Sequence, residues 1–210
     1  MPLRRRLVST ALAAVVVASL TACGTPPWMT GRTPSASPSA TPTAIAIPTP
    51  TPVPTIETIQ NDLAAGSTKR NLTAGNINIT VDYFSTLMMN EWTAGANKPI
   101  SFSLTGALAT DDDGQDIFLS RVSVTTSVQG KGGVSLPAPG ALSDQASVAP
   151  GYLVKSPYSY SQTFVLPAVD AAATEVTLSF TYELLLQTTP TSTAYAKQTA
   201  TDTLTIAIAP

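Results

Sequence analysis

From Asn76 onward, the chain alternates apolar and polar residues with a period of two. In "NINITVDYF" the apolar set is Ile77, Ile79, Val81 and Tyr83. In "EVTLSFTYELLLQ" every second residue from Val176 to Leu186 is apolar. Because successive side chains of a β-strand point to opposite faces, each segment predicts a strand with one buried face.

Four further segments predict strands: "PISFSLTG", "DIFLSRVSVTTSV", "SYSQTFVLP" and "DTLTIAIA". Three of them keep one apolar parity, formed by Ile100, Phe102 and Leu104, by Tyr160, Phe164 and Leu166, and by Leu204, Ile206 and Ile208. "DIFLSRVSVTTSV" changes parity, from Ile117 and Leu119 to a second set of Phe118, Val122, Val124 and Val128. This switch predicts a β-bulge, or a strand that is covered on both sides near its start.

Six or seven such strands, separated by turn sequences such as "AGANKP" and "GKGG", predict an all-β fold. Since each strand has one apolar face, we expect an antiparallel two-sheet sandwich, with an immunoglobulin-like arrangement as the first choice. A barrel or a jelly roll would fit the same pattern. Ahead of the strands, Ile56, Ile59 and Leu63 stand at helical spacing and predict a short helix or turn.

The N-terminus has a different organisation. Arg4 to Arg6 precede an apolar stretch, Leu7 to Leu20, which is shorter than the roughly 20 residues of a membrane-spanning helix. Positive charge followed by a short apolar stretch is typical of an export signal.

Leu20-Thr21-Ala22-Cys23 resembles the lipobox of bacterial lipoproteins at every position. The resemblance implies that Cys23 carries a diacylglycerol lipid and that cleavage occurs before Cys23. The protein would then lie at the extracytoplasmic face of the cell membrane, with the membrane as a partner through the lipid anchor. The alternative is an ordinary secretory signal with an incidental cysteine.

Composition divides the chain into three parts. Residues 1–22 form the predicted signal peptide, and residues 23–54 form a Pro/Thr/Ser-rich segment that predicts a disordered stalk. Residues 55–210 form the predicted sandwich. Removing the arginines of the signal lowers the formal net charge from −2 to −5, so nucleic-acid binding is not expected.

Two groups of residues are candidates for binding. Asp111, Asp113 and Asp116 in "DDDGQD" offer carboxylates beside a glycine, which suits calcium, although a solvated hairpin turn is the favoured interpretation. No other cofactor is expected. Trp92, Tyr152 and Tyr158 are aromatic residues near glycine or proline, and they would contact a ligand if they were exposed in one row. The alternative is that these rings fill the core.

Catalysis has little support in the sequence. The chain contains no histidine, and its single cysteine is Cys23, so the usual bases and zinc ligands are absent. We therefore expect a non-enzymatic binding or scaffolding domain. The alternative is a module that binds carbohydrate of the cell wall. The expected partner is therefore either cell-wall glycan or a surface protein. A glycoside hydrolase would need two converging carboxylates, from among Asp82, Glu91, Asp144 and Asp170.

Overall fold

The computed structural model describes residues 59–110 and 114–210. These residues form ten strands and two short 3₁₀ turns, at Met89–Glu91 and Lys131–Gly133. The strands are β1 (Ser67–Ala74), β2 (Ile77–Phe84), β3 (Lys98–Leu108), β4 (Ile117–Gly130), β5 (Val134–Leu136), β6 (Leu142–Gln145), β7 (Tyr152–Leu153), β8 (Tyr160–Leu166), β9 (Ala173–Gln187) and β10 (Tyr195–Ala207).

The strands form two antiparallel sheets, which confirms the predicted all-β sandwich. Sheet 1 has the order β1-β2-β3-β8, and sheet 2 has the order β10-β9-β4-β5, with β6 and β7 also pairing with β4. The orders β2-β3-β8 and β10-β9-β4 correspond to the A-B-E and G-F-C strands of an immunoglobulin-like sandwich.

The predicted strand faces are confirmed by burial. In β2, β3, β8 and β9 the apolar parity named above lies in the core, which forms between the two sheets. The parity switch in β4 is a β-bulge: Leu119 faces Leu184 and Arg121 faces Glu183, so Ser120 is the extra residue. Burial accordingly passes from Ile117 and Leu119 to Val122 and Val124.

The segment before β1 forms a turn, the second of the two forms predicted for it. Its first residues lie outside the described part, and residues 62–65 form a turn that buries Leu63. β1 follows at once, and its sequence "STKRNLTA" lacks the apolar alternation that would have predicted a strand. β1 pairs with β2 through a two-residue hairpin, in which Gly75 adopts a φ of 54°. Glycine at this first turn position is typical of a type II′ hairpin.

The segment after β7 joins the two sheets. The Val154 N–H donates to Ile117 O of β4 (2.9 Å), and Val154 O accepts from the Gly106 N–H of β3 (2.7 Å). Just before β7, a Cβ on Gly151 would lie 2.5 Å from Leu119 O, so the chain can pass there only with glycine.

The centre of the core contains a cluster of aromatic rings: Tyr83, Phe102, Phe180 and Tyr182. The hydroxyls of Tyr83 and Tyr182 share a hydrogen bond of 2.9 Å. Burial is the main cause that raises the pKa of both phenols, and the charge of Asp202 adds to it. Both groups therefore remain protonated, and one hydroxyl donates to the other inside the sandwich.

Candidate functional site

A shallow groove lies on the outer face of sheet 1. It is built on one cross-strand row, because Phe84 of β2 pairs with Ser101 of β3, and Ser101 pairs with Thr163 of β8. These three residues have the opposite parity to the core positions of their strands, so their side chains point away from the core. The groove has a volume of about 240 Å³ and is lined by Phe84, Ser101, Phe102, Ser161, Gln162 and Thr163.

The groove combines one aromatic ring with neutral polar groups. Phe84 is 39% exposed, which is unusual for a phenylalanine within a strand. Ser101 is buried beside it, and the hydroxyls of Ser101 and Thr163 lie 2.7 Å apart. Sites that enclose a drug-sized ligand are usually larger than about 300 Å³, so this groove would hold only one small ring or side chain.

A second cluster links the two sheets where β6 lies opposite β8. The hydroxyl of Tyr160 donates to Asp144 Oδ2 at 2.6 Å, and Tyr152 stacks on the Tyr160 ring at 4.7 Å. Burial, followed by the hydrogen bond to Asp144, raises the pKa of Tyr160, and the same causes raise the pKa of Tyr152. Asp144 is thus held by a phenol that stays protonated, so its contact here is a structural one.

The three predicted aromatic residues do not form one exposed row. Tyr158 is exposed and Tyr152 is half-buried against Tyr160, but Trp92 is fully buried. Trp92 lies where β2 ends and β3 begins, and its Nε1 donates to Ser85 Oγ at 3.0 Å. The expectation that Trp92 is presented to a ligand is therefore corrected.

The loop after Trp92 is held in place by a buried lysine. Lys98 is fully buried, and its Nζ donates to the carbonyl oxygens of Thr93 (3.0 Å), Ala94 (3.3 Å) and Ala96 (2.7 Å). These hydrogen bonds hold residues 93–97 against Lys98, the first residue of β3. Burial lowers the pKa of Lys98, but the three carbonyl oxygens supply acceptors for its charged form.

Of the three aspartates predicted to bind calcium, Asp111 and Asp113 lie outside the described residues, and only Asp116 is described. Asp116 sits at the start of β4, where its N–H donates to Gln187 Oε1 (2.8 Å). Gln115 donates to the carbonyls of Gln187 and Thr188, which fastens this loop to the turn after β9. Within residues 59–110 and 114–210, no three metal-ligating side chains come together. Cys23 is also outside the described part, so lipidation remains a prediction.

Sequence reasoning missed the groove although one signal was present. Phe84 stands on the polar parity of "NINITVDYF", and a large apolar residue on that parity indicates an exposed ring. Its neighbours Ser101 and Thr163 come from strands that are distant in sequence. Their meeting depends on register, which no single segment encodes.

Neither the family models nor the curated proteins gave a match to this chain. Within the described part of the chain, none of the helical segments has the length and apolar character needed to cross a membrane.

Proposed function

We propose that this protein is a lipid-anchored extracytoplasmic lipoprotein whose β-sandwich is a non-enzymatic binding domain. The lipobox ending at Cys23 supports the anchor, and the Pro/Thr/Ser-rich segment supports a stalk between anchor and domain. Two acyl chains are sufficient for stable attachment to a membrane. The partners are then the membrane, through the lipid, and a ligand that reaches the sandwich from outside.

The observation that carries the binding role is the groove around Phe84. A partly exposed aromatic ring beside serine and threonine side chains offers an apolar face together with hydrogen-bonding groups. None of the groove residues is charged, so a neutral ligand is favoured over an ionic one. The groove is open at the surface, which suits recognition of part of a larger molecule.

A glycan of the cell wall is the ligand class that this chemistry favours. A sugar ring has apolar C–H faces and a rim of hydroxyls, and these match an aromatic ring flanked by hydroxyl groups. A loop of a surface protein would use the same groove through one apolar side chain. The glycan is the better fit because the outward-facing polar side chains of the groove, Ser101, Ser161 and Thr163, are neutral hydroxyls.

The binding role is tested with the full chain and two probes, isolated cell-wall polysaccharide and soluble peptidoglycan fragments. We expect Phe84→Ala to weaken binding by about tenfold or more, since loss of a central aromatic contact usually costs more than about 1.4 kcal/mol. Met88→Ala is the matched control, because Met88 is 71% exposed and does not line the groove. Equal binding by wild type and Phe84→Ala would contradict the assignment of the groove.

The anchor is tested separately. Cys23→Ser should release the protein from membranes or leave an uncleaved precursor, because no thiol remains for lipid attachment. Membrane fractionation and intact mass spectrometry measure both outcomes. A processed Cys23→Ser chain that stays on the membrane would contradict lipid anchoring without bearing on the groove.

A further inference from the structure

The edge strands of the sandwich differ in how they are protected against pairing with another strand. β1 carries Arg70 on its core-facing side, β10 carries Asp202, and β6 carries Asp144. An inward-pointing charge on an edge strand disfavours the addition of a further strand. β8 has the sequence "YSQTFVL", and its core-facing polar residue is the neutral Gln162. Among the described edge strands of four or more residues, β8 is thus the one without a charge.

The outer edge of β8 presents backbone groups that β3 does not use. Gly106 of β3 donates to Val154 O and accepts from the Ser156 N–H, so even-numbered residues of β3 face the β8 side. Their register partners in β8 are the even-numbered residues from Tyr160 to Leu166. Since backbone groups alternate between the two sides of a strand, the N–H and C=O groups of Ser161, Thr163 and Val165 point to the free edge.

Gln162 supports this orientation. Its Oε1 accepts from the Thr163 N–H at 3.1 Å, and this contact is available only if that N–H points away from β3. The side chains of Ser161, Thr163 and Val165 are exposed, with Val165 at 53%. The edge therefore offers extended, uncharged backbone together with a partly apolar side-chain row.

We propose that two copies of this chain pair through β8 in an antiparallel, twofold-symmetric arrangement centred on Thr163. In this register Thr163 faces Thr163 of the second copy, and Ser161 faces Val165. Every residue on the shared edge is neutral, so the symmetric pairing opposes no like charges. The two four-stranded sheets join into one continuous sheet. The outward backbone groups of each edge, including the Thr163 N–H that Gln162 Oε1 holds in the single chain, then pair with the other copy.

The register makes a geometric prediction that cysteine cross-linking tests. Directly opposed residues of a hydrogen-bonded antiparallel pair have Cα atoms about 5.5 Å apart, which suits a disulfide. The purified full chain carrying Thr163→Cys should form a disulfide-linked dimer under mild oxidation. Ser161→Cys should not, since the two copies of Ser161 are four residues apart along the pair, or about 14 Å.

Two controls measure how much disulfide-linked dimer forms without pairing through β8. Wild type reports any dimer formed through Cys23, its only cysteine. Thr201→Cys places an exposed cysteine on β10, the edge with the inward charge of Asp202. We expect several-fold more dimer from Thr163→Cys than from Thr201→Cys, Ser161→Cys or wild type. Equal yields from the four chains would overturn the proposal.

Two further variants test the hydrogen-bonded edge without a cysteine. Thr163→Pro removes one edge N–H that β3 does not use, and proline is tolerated on the solvent side of an edge strand. Gln162→Glu keeps the shape of the side chain and adds the inward charge that the other edges carry. By sedimentation of the full chain in detergent, wild type should show twice the protein mass of either variant.

Circular dichroism distinguishes lost pairing from lost folding in both variants. A wild-type monomer at concentrations where β-sheet content is native would overturn the proposal. If Thr163→Cys formed a disulfide with a different polypeptide instead of with its own second copy, the proposal would also be overturned. The partner of β8 would then be a strand of that other polypeptide.

Discussion

The two lateral sides of the sandwich are closed in different ways. On the β1/β10 side, the Asp62 N–H donates to Thr205 O (2.8 Å), and Asp62 Oδ2 accepts from the Thr205 N–H (2.8 Å). Asp62 Oδ1 accepts from Arg70 Nη2 at 2.9 Å, and Leu63 next to it is fully buried. One short turn thus ties β1 and β10 together by backbone, charge and apolar contacts.

On the opposite side, three short strands, β5, β6 and β7, follow one another along β4. Sheet 1 is contacted there by the backbone of Val154, which bonds to Gly106 of β3, and by side chains, chiefly those of Tyr160 and Asp144. The free edge of β8 remains uncharged. The β1/β10 side is thus closed by one turn and carries an inward charge on each edge strand, whereas the β8 edge carries no charge.

The largest expected effect is the loss of the apolar contact on the fastened side. Leu63→Ala should lower the free energy of unfolding by about 2–5 kcal/mol, because it empties a fully buried site. Leu142→Ala on β6 is the matched variant of the other side, where the side chain is only half-buried, and we expect about 1 kcal/mol. Urea unfolding of the full chain measures both. Equal losses of unfolding free energy in the two variants would contradict the proposed difference between the two sides.

The next effect concerns Asp62 and depends on pH. Burial alone would raise the pKa of Asp62, but hydrogen bonds from Thr205, Gln60 and Arg70 hold it below 3.8. Its ionised form therefore stabilises the fold above about pH 3.8, and this contribution is lost as the pH falls through the lower folded-state pKa.

Asp62→Asn tests this contribution. At pH 7 it should cost about 1–3 kcal/mol, because a buried acceptor of several hydrogen bonds is replaced by an amide that also donates. Below pH 3.8 the difference from wild type should shrink. Asp82→Asn, which breaks the exposed pair with Lys69 (3.4 Å), should change stability by less than about 1 kcal/mol. If the difference in unfolding free energy between wild type and Asp62→Asn did not depend on pH, the ionised Asp62 would not be its cause.

The smallest effect is expected on the open side. Tyr160→Phe removes the hydrogen bond to Asp144 but keeps the ring, and we expect a loss of about 1 kcal/mol, since water reaches the half-buried Asp144. Tyr158→Phe is the control, because its ring is exposed. Thermal unfolding compares the two. A cost for Tyr160→Phe equal to that of Leu63→Ala would show that this side is as firmly fastened as the other.

Much of the fold was predictable because it depends on local alternation. The buried faces of β2, β3, β8 and β9, and the bulge of β4, follow from apolar parity, since a strand repeats every two residues. β1 was not predictable in this way, because its core-facing positions include Arg70 and Thr68. Trp92 was misjudged because it lies outside the strands, where no alternation indicates which side chains are buried.

The sequence alone determined the class of the fold, the predicted export and lipid signal at Cys23, and the absence of histidine. These features are read from composition and from short-range order. The tertiary structure alone decided that Phe84, Ser101 and Thr163 share one groove, that Tyr160 reaches Asp144, and that β8 is the uncharged edge. The physical reason is that strand order and register are set by packing between distant segments. Local periodicity does not indicate which strands become neighbours.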